Sequence, residues 1–345
     1  MSRKAPPSPA PDKDPANPPE KSVRASRRFY PFLAFGLIAA GLAAMVLMPD
    51  LSAFRYSSKY KDYAASVFCD DRDVDVAFFG TSRMARAVDA GEIARVFEEH
   101  TGKPLSIVDL AKPGGSNFAW VQMLSDLLEH RRVKLIVVEM GNPRRQPQWK
   151  QLDKLSGVLK SPELIDYALN VEENSVVENL FSLFEARLGS LEAGLGSLWL
   201  GCDGLNGNIA YDPTLGRYRQ KGPFSNVDKL LAELDTNPIN QNLFNPKYKF
   251  SLKVAKTILA LAEEHGTKVI FVNLNSIDED QLQQKHMTRF QEKYGAELTA
   301  WPEALMALFR TEFSYADRNH LDEDGARLVA PWFAEKVDEY LSRGN

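Results

Sequence analysis

The chain has 345 residues, 46 acidic and 42 basic, for a net charge of −4. That near balance excludes the basic surplus of a nucleic-acid binder. A hydrophobic fraction of 44% with 26% charged residues is enough for a sizeable globular core. The two cysteines, Cys69 and Cys202, lack the spacing of a zinc site or a redox pair. They stand either as free thiols or, in an oxidising compartment, as a disulfide.

Residues 1–28 read as a disordered cytoplasmic tail. Pro6, Pro7, Pro9, Pro11, Pro15, Pro18 and Pro19 leave too little apolar surface to offset chain entropy. Arg24, Arg27 and Arg28 then precede an uncharged run, Phe29 to Met48, which Pro49 and Asp50 end. As a helix that run spans about 30 Å, the thickness of a bilayer's hydrocarbon core. A cleaved signal peptide competes with an uncleaved anchor. Signal peptides, however, carry a shorter apolar region, about 7–15 residues, followed by a small-residue cleavage site. The expected assignment is a transmembrane helix over 29–49. Basic residues on its N-terminal side put the N-terminus in the cytoplasm. Everything beyond is then extracytoplasmic, periplasmic in a bacterium, on a juxtamembrane stalk over 50–72.

The remainder, 73–345, alternates strands and helices. Val74–Phe79 is an apolar run rich in β-branched and aromatic residues, ending at Gly80-Thr81-Ser82-Arg83. Asp89 can cap a helix to about His100, with Gly102 as its stop. Leu105–Leu110 is a second strand, running into Pro113-Gly114-Gly115. Phe118–His130 is helical, and Lys134–Met140 is a third strand ending at Gly141-Asn142-Pro143. Each helix is long enough for a parallel crossover, so three strand ends and their turns meet at one sheet edge. Residues 146–249 interrupt this alternation with an insertion of helices and loop. Its polar stretch Gly201–Asn226 carries Tyr211, Arg217, Tyr218, Arg219 and Lys221, which either line a substrate groove or form a solvated surface. A helix over Phe250–His265, a strand over Lys268–Leu274, a short strand over Ala296–Trp301 and a last helix from Glu323 to Leu341 follow.

Two chemistries compete at Ser82. It is either a helix N-cap after a strand or a nucleophile at the mouth of an α/β sheet. Of the five histidines, His100, His130 and His265 sit near helix ends and His286 in a polar segment, all readable as solvated or capping residues. His320 differs: it lies in a loop before the last helix, three residues after Asp317. A serine hydroxyl needs a neighbouring base, and a carboxylate can orient that imidazole. The Ser82 N–H, a glycine N–H of the second turn and the Asn142 amide are candidate donors to an oxyanion. No histidine pair stands at metal-ligand spacing, so neither a metal nor another cofactor is expected.

In these blocks the chain resembles the SGNH (GDSL-type) hydrolase superfamily. Gly80-Thr81-Ser82 stands where that family keeps its nucleophile, with Thr81 in place of the usual Asp. Pro113-Gly114-Gly115 stands at the oxyanion glycine, Gly141-Asn142 at the family's Gly-x-Asn, and Asp317-Arg318-Asn319-His320 at its closing Asp-x-x-His. The resemblance implies a three-layer α/β/α, flavodoxin-like fold around a mostly parallel five-stranded sheet. It implies Ser82 as nucleophile, His320 as base and acid, Asp317 as orienting carboxylate, and Ser82, Gly114 and Asn142 as the oxyanion hole. Arg83 and Gly115 are candidate substrate contacts, Arg83 either binding an anionic group or covering surface. With the anchor, the resemblance extends to proteins of polysaccharide O-acetylation, which work beside a multi-spanning membrane O-acyltransferase. The expected activity is acyl transfer or ester hydrolysis on an envelope or exported polysaccharide. An esterase on small or lipid esters and an inactive scaffold are the alternatives.

Overall fold

The computed structural model describes residues 36, 66–68, 71–111, 117–140, 249–275, 284–311, 314–317 and 319–343. The chain divides into two compact units, Met1–Met48 and Pro49–Asn345, and all described residues but Gly36 belong to the second. The elements among its described residues are β1 (Val74–Phe79), α1 (Ser82–Ala87), α2 (Ala90–Thr101), β2 (Ile107–Asp109), α3 (Asn117–His130), β3 (Val133–Glu139), α4 (Lys249–Glu264), β4 (Lys268–Asn273), α5 (Gln284–Tyr294), β5 (Glu297–Ala300), α6 (Glu303–Thr311) and α7 (Glu323–Ser342).

The five strands form one parallel sheet in the order β2-β1-β3-β4-β5. Strands of such a sheet are covered on both faces, which is why β1 and β3 are apolar almost throughout. Val76 pairs with Leu135, and Phe78 with Val137, which in turn pairs with Ile270. These side chains share one face and pack with α1, α2 and α7 in a single core. Phe78 meets Phe333 of α7 edge-on at 5.3 Å. Ala77, Phe79, Ile136, Val138 and Phe271 alternate with them and are equally buried. Each of these Val, Leu, Ile and Phe side chains contributes about 1.5–3 kcal/mol by leaving water.

Strand order reverses between β1 and β3, since the chain runs from β1 outward to β2 and then returns past β1. Crevices at such reversals, beyond the C-terminal strand ends, are where open α/β sheets bind ligands. Ser82 follows β1 and Glu139 ends β3, so both stand at this point.

The expected fold class of a five-stranded parallel α/β sheet is observed. Asp89 caps α2 through the Glu92 N–H, and Gly102 ends it in the left-handed conformation. Two helices, α5 and α6, are absent from the sequence expectations, as is the separation of α1 from α2. His286 is a correction: it lies on α5 and is buried, and burial, with Lys285 and Arg289 nearby, lowers its pKa. His100, His130 and His265 are exposed.

The expectations for 1–28, 29–49, most of 50–72, both cysteines and the insertion over 146–249 lie outside the described residues, save for the helical Gly36 and for Lys249, which begins α4. Among the described residues no helix is long and apolar enough to cross a membrane.

Candidate active site

The Gly80–Ser82 turn is built on an absence. By register Gly80 lies one step beyond the Phe79–Val138 pair, opposite Glu139. A Cβ on Gly80 would sit 2.2 Å from Met84 Cβ and 2.7 Å from Glu139 Oε2. Only glycine lets α1 start this close to β1 while a glutamate carboxyl fills the space beside it.

The helix cap is Thr81, not Ser82. Thr81 Oγ1 accepts the Arg83 N–H at 3.2 Å, and Ser82 is the first helical residue. The cap reading of Ser82 is therefore replaced: its hydroxyl is not engaged by the helix start. It instead meets His320, with Ser82 Oγ 2.6 Å from His320 Nε2.

His320 Nδ1 lies 2.7 Å from both carboxylate oxygens of Asp317. A carboxylate can only accept there, so the neutral ring carries its proton on Nδ1 and leaves Nε2 to accept from the Ser82 hydroxyl. Asp317 Oδ1 also accepts the N–H groups of Asn319 at 2.8 Å and His320 at 3.1 Å. Burial works against the Asp317 charge. The hydrogen bonds from the His320 ring and the two backbone N–H groups outweigh it and hold the carboxyl below its ordinary range. The positive charge of Arg86, one turn along α1 from Ser82, also acts on Asp317.

The loop carrying this pair is closed at its base. Tyr315 and Leu321 form an antiparallel bridge, the Ala316 N–H donates to the His320 carbonyl at 2.8 Å, and the Asp322 N–H donates to the Ser314 carbonyl at 3.1 Å. Tyr315 is buried edge-on against Phe309, and its hydroxyl donates to the Asn275 carbonyl at 3.2 Å. Asp322 then caps α7 by accepting the Gly325 N–H. Gly325 must lack a side chain, because a Cβ there would lie 2.3 Å from the Ser314 carbonyl oxygen.

Arg83 points back into the protein. Its Nη1 donates to the Leu274 carbonyl at 2.9 Å and its Nη2 lies 3.4 Å from Asn319 Oδ1. Ser82, Asp317, His320 and Arg83 are thus brought together. Gly114, Gly115 and Asn142 lie outside the described residues.

Two residues at this edge are missing from the sequence expectations. Glu139 is 1% exposed and Asp109 is 3% exposed. Asp109 ends β2, and burial pushes its carboxyl up to about 8 although it accepts the Ala111 N–H. Each is the single acid at the C-terminal end of an apolar strand, a pattern visible in Ser106-Ile107-Val108-Asp109 and Leu135-Ile136-Val137-Val138-Glu139. Among the described residues no three His, Cys, Asp or Glu side chains gather as metal ligands.

No family model matches this chain, and no curated protein matches it. Among solved structures it aligns with a gut microbial diltiazem-metabolizing enzyme at 14% identity and a TM-score of 0.29, over 77% of this chain and 47% of that one. The chain thus spans about half the length of that enzyme, and a likeness of this degree bears on neither the site nor its chemistry.

Proposed function

We propose that the protein is a membrane-anchored, extracytoplasmic acyl-esterase or O-acetyltransferase of SGNH type, acting on an envelope or exported polysaccharide through an acyl-serine intermediate. The observation that carries the chemistry is the row Ser82 Oγ, His320 Nε2, His320 Nδ1, Asp317, with contacts of 2.6 and 2.7 Å. The four sequence blocks in their family order support the SGNH assignment. The apolar run over 29–49 supports the anchor.

In the first half-reaction Ser82 Oγ attacks the acyl carbonyl carbon as its proton passes to His320 Nε2. Asp317 is ionised, accepts from Nδ1–H and stabilises the imidazolium that forms. The Ser82 N–H, with Gly114 and Asn142 as the other candidates, takes the oxyanion charge. The C–O bond to the leaving alcohol then breaks, and that oxygen takes the proton from Nε2. In the second half His320 deprotonates the incoming hydroxyl, of water or of a sugar, which releases the acyl group from Ser82 and returns the proton to Oγ. Hydrolysis and transfer use the same residues and differ only in which hydroxyl enters.

The test uses the full-length chain in detergent. A fluorophosphonate probe should label Ser82, and labelling should vanish in Ser82→Ala. An acetyl donor with oligosaccharide acceptors then separates the outcomes by mass spectrometry, acetylated sugar for transfer and acetate alone for hydrolysis. Folded chain that the probe leaves unlabelled points to a non-catalytic scaffold.

A further inference from the structure

We infer that Glu139 is a positioning residue for Ser82: its buried carboxyl holds Thr81, the helix cap beside Ser82, by main chain and side chain and so sets where Ser82 sits against His320. This role rests on the acyl-serine reading above. Glu139 ends β3 on the face that β1 and α1 share. Its Oε2 accepts the Thr81 N–H at 2.6 Å, and its two oxygens lie 2.9 and 3.0 Å from Thr81 Oγ1. Thr81 therefore gives its hydroxyl proton to Glu139, which turns the Oγ1 lone pairs toward the Arg83 N–H.

The helix start has no spare freedom as a result. The N–H group of Thr81 goes to Glu139, that of Arg83 to Thr81 Oγ1, and that of Ala85 to the Thr81 carbonyl. Ser82 lies between these fixed points, and its hydroxyl meets His320 Nε2 at 2.6 Å. Gly80 completes the arrangement, since any side chain there would occupy the carboxyl's place.

A buried carboxyl is costly without compensation. Burial holds Glu139 above the ordinary carboxyl range, although the charge of Arg83 and the Thr81 donors act the other way. Arg83 in turn reaches the Leu274 carbonyl and Asn319, a residue inside the Asp317–His320 loop. The carboxyl therefore acts on the serine side of the Ser82–His320 contact through Thr81, and Arg83, the next residue after Ser82, reaches the loop of the base.

The test measures fluorophosphonate labelling of the full-length chain as a rate per titratable site, so that loss of folded protein does not mimic loss of rate. Glu139→Gln should lower that rate by about 10- to 100-fold, the effect of a small misplacement of reacting groups. Its amide would press an N–H toward Thr81 Oγ1 and reverse that bond. Where Glu139→Gln does not fold, Thr81 variants decide. Thr81→Val keeps the backbone bond but loses the hydroxyl and should fall similarly, whereas Thr81→Ser should keep the wild-type rate. Wild-type rates in both Glu139→Gln and Thr81→Val overturn the role, as does a Thr81→Ser rate as low as that of Thr81→Val. A second readout, ring NMR of His320 in 15N-histidine-labelled chain, covers the case in which wild type is not labelled at all and the acyl-serine reading fails. Glu139→Gln, or Thr81→Val in its place, should shift the His320 Nε2 resonance as the Ser82 hydroxyl leaves it. Unchanged ring resonances overturn the positioning role whatever the reactivity of Ser82.

Discussion

His320 Nε2 lies 2.6 Å from Ser82 Oγ across a separation of 238 positions in sequence. The contact joins a turn built after the first strand to a loop built before the last helix. Either residue alone is unremarkable chemistry. Together, with Asp317 on the far side of the ring, they form a proton path of fixed direction.

Removing the base tests that direction. His320→Ala should lower fluorophosphonate labelling of Ser82 by roughly a thousandfold or more, with little change in melting temperature. Intact-protein mass spectrometry over time measures it. A rate in His320→Ala equal to wild type would mean that some other group activates the serine.

Asp317→Asn tests the carboxylate. An asparagine can offer its N–H₂ to the ring, favouring the tautomer with the proton on Nε2, which cannot accept from Ser82. Labelling should fall by roughly 10⁴-fold. The same variant changes acid stability. The folded carboxyl is held below its ordinary range, so it contributes stability above about pH 4 that is lost as pH falls through the folded value. Denaturant titrations from pH 7 to pH 2 should show wild type losing its advantage over the variant across that acid limb.

Asp109 has the opposite sign. Its folded pKa is about 8 against an ordinary 3.8, with burial as the first cause. The folded state therefore holds a proton that the unfolded chain releases. The associated stability is fully present below about pH 4 and is lost as pH rises to about 8. Asp109→Asn keeps an oxygen for the Ala111 N–H and has no charge to bury. It should be more stable than wild type at pH 8, by an amount on the order of a few kcal/mol, with the difference vanishing near pH 4. Urea unfolding at several pH values checks this.

The two crowded glycines make a paired prediction. Gly80→Ala and Gly325→Ala each place a methyl within 2.3 Å of fixed atoms, Met84 Cβ in one case and the Ser314 carbonyl oxygen in the other. Each should cost about 1–3 kcal/mol as the surroundings yield. Each should also slow Ser82 labelling in the fraction that remains folded, Gly80→Ala by moving the nucleophile and Gly325→Ala by moving the loop of its base. Melting curves and labelling rates of the same samples separate the two effects.

The anchor is tested by removal. Deleting residues 1–49 should release the protein from the membrane fraction. In the intact chain, protease added to the outer side of spheroplasts should reach the domain after residue 73. Retention of the truncated chain on membranes would require another site of attachment.

The strands were legible because parallel strands buried on both faces leave uninterrupted apolar runs, as in Val74–Phe79 and Val133–Glu139. Helix α2 was legible from Asp89 and Gly102. The helices α5 and α6 were not. The α5 segment, Gln284–Tyr294, is polar almost throughout and buries chiefly His286 and Phe290, so no apolar run marks it. Ser82, Asp317 and His320 stood out because the chain has five histidines and one of them follows an aspartate in a loop before a helix. Glu139 was missed although a lone acid closing an apolar strand was in plain view. Its value depends on Gly80 lying opposite, and strand register is not written in either segment. For Arg83 the sequence leaves two roles open, an anion contact or surface cover, and its neighbours Leu274 and Asn319 are close only after folding.

The seating of Gly325 under Ser314 ties the loop of His320 to the docking of α7, and this has a consequence in time. Ser82 leaves the ribosome early, and its base and the helix that seats it follow only after residue 320. Throughout synthesis the chain therefore carries a serine without a partner. Under the proposed topology the domain crosses the membrane before that helix can dock, so reactivity first appears on the outer side. A chain cut short before residue 323 would contain all five strands of the described sheet and the nucleophile, and would stay inert.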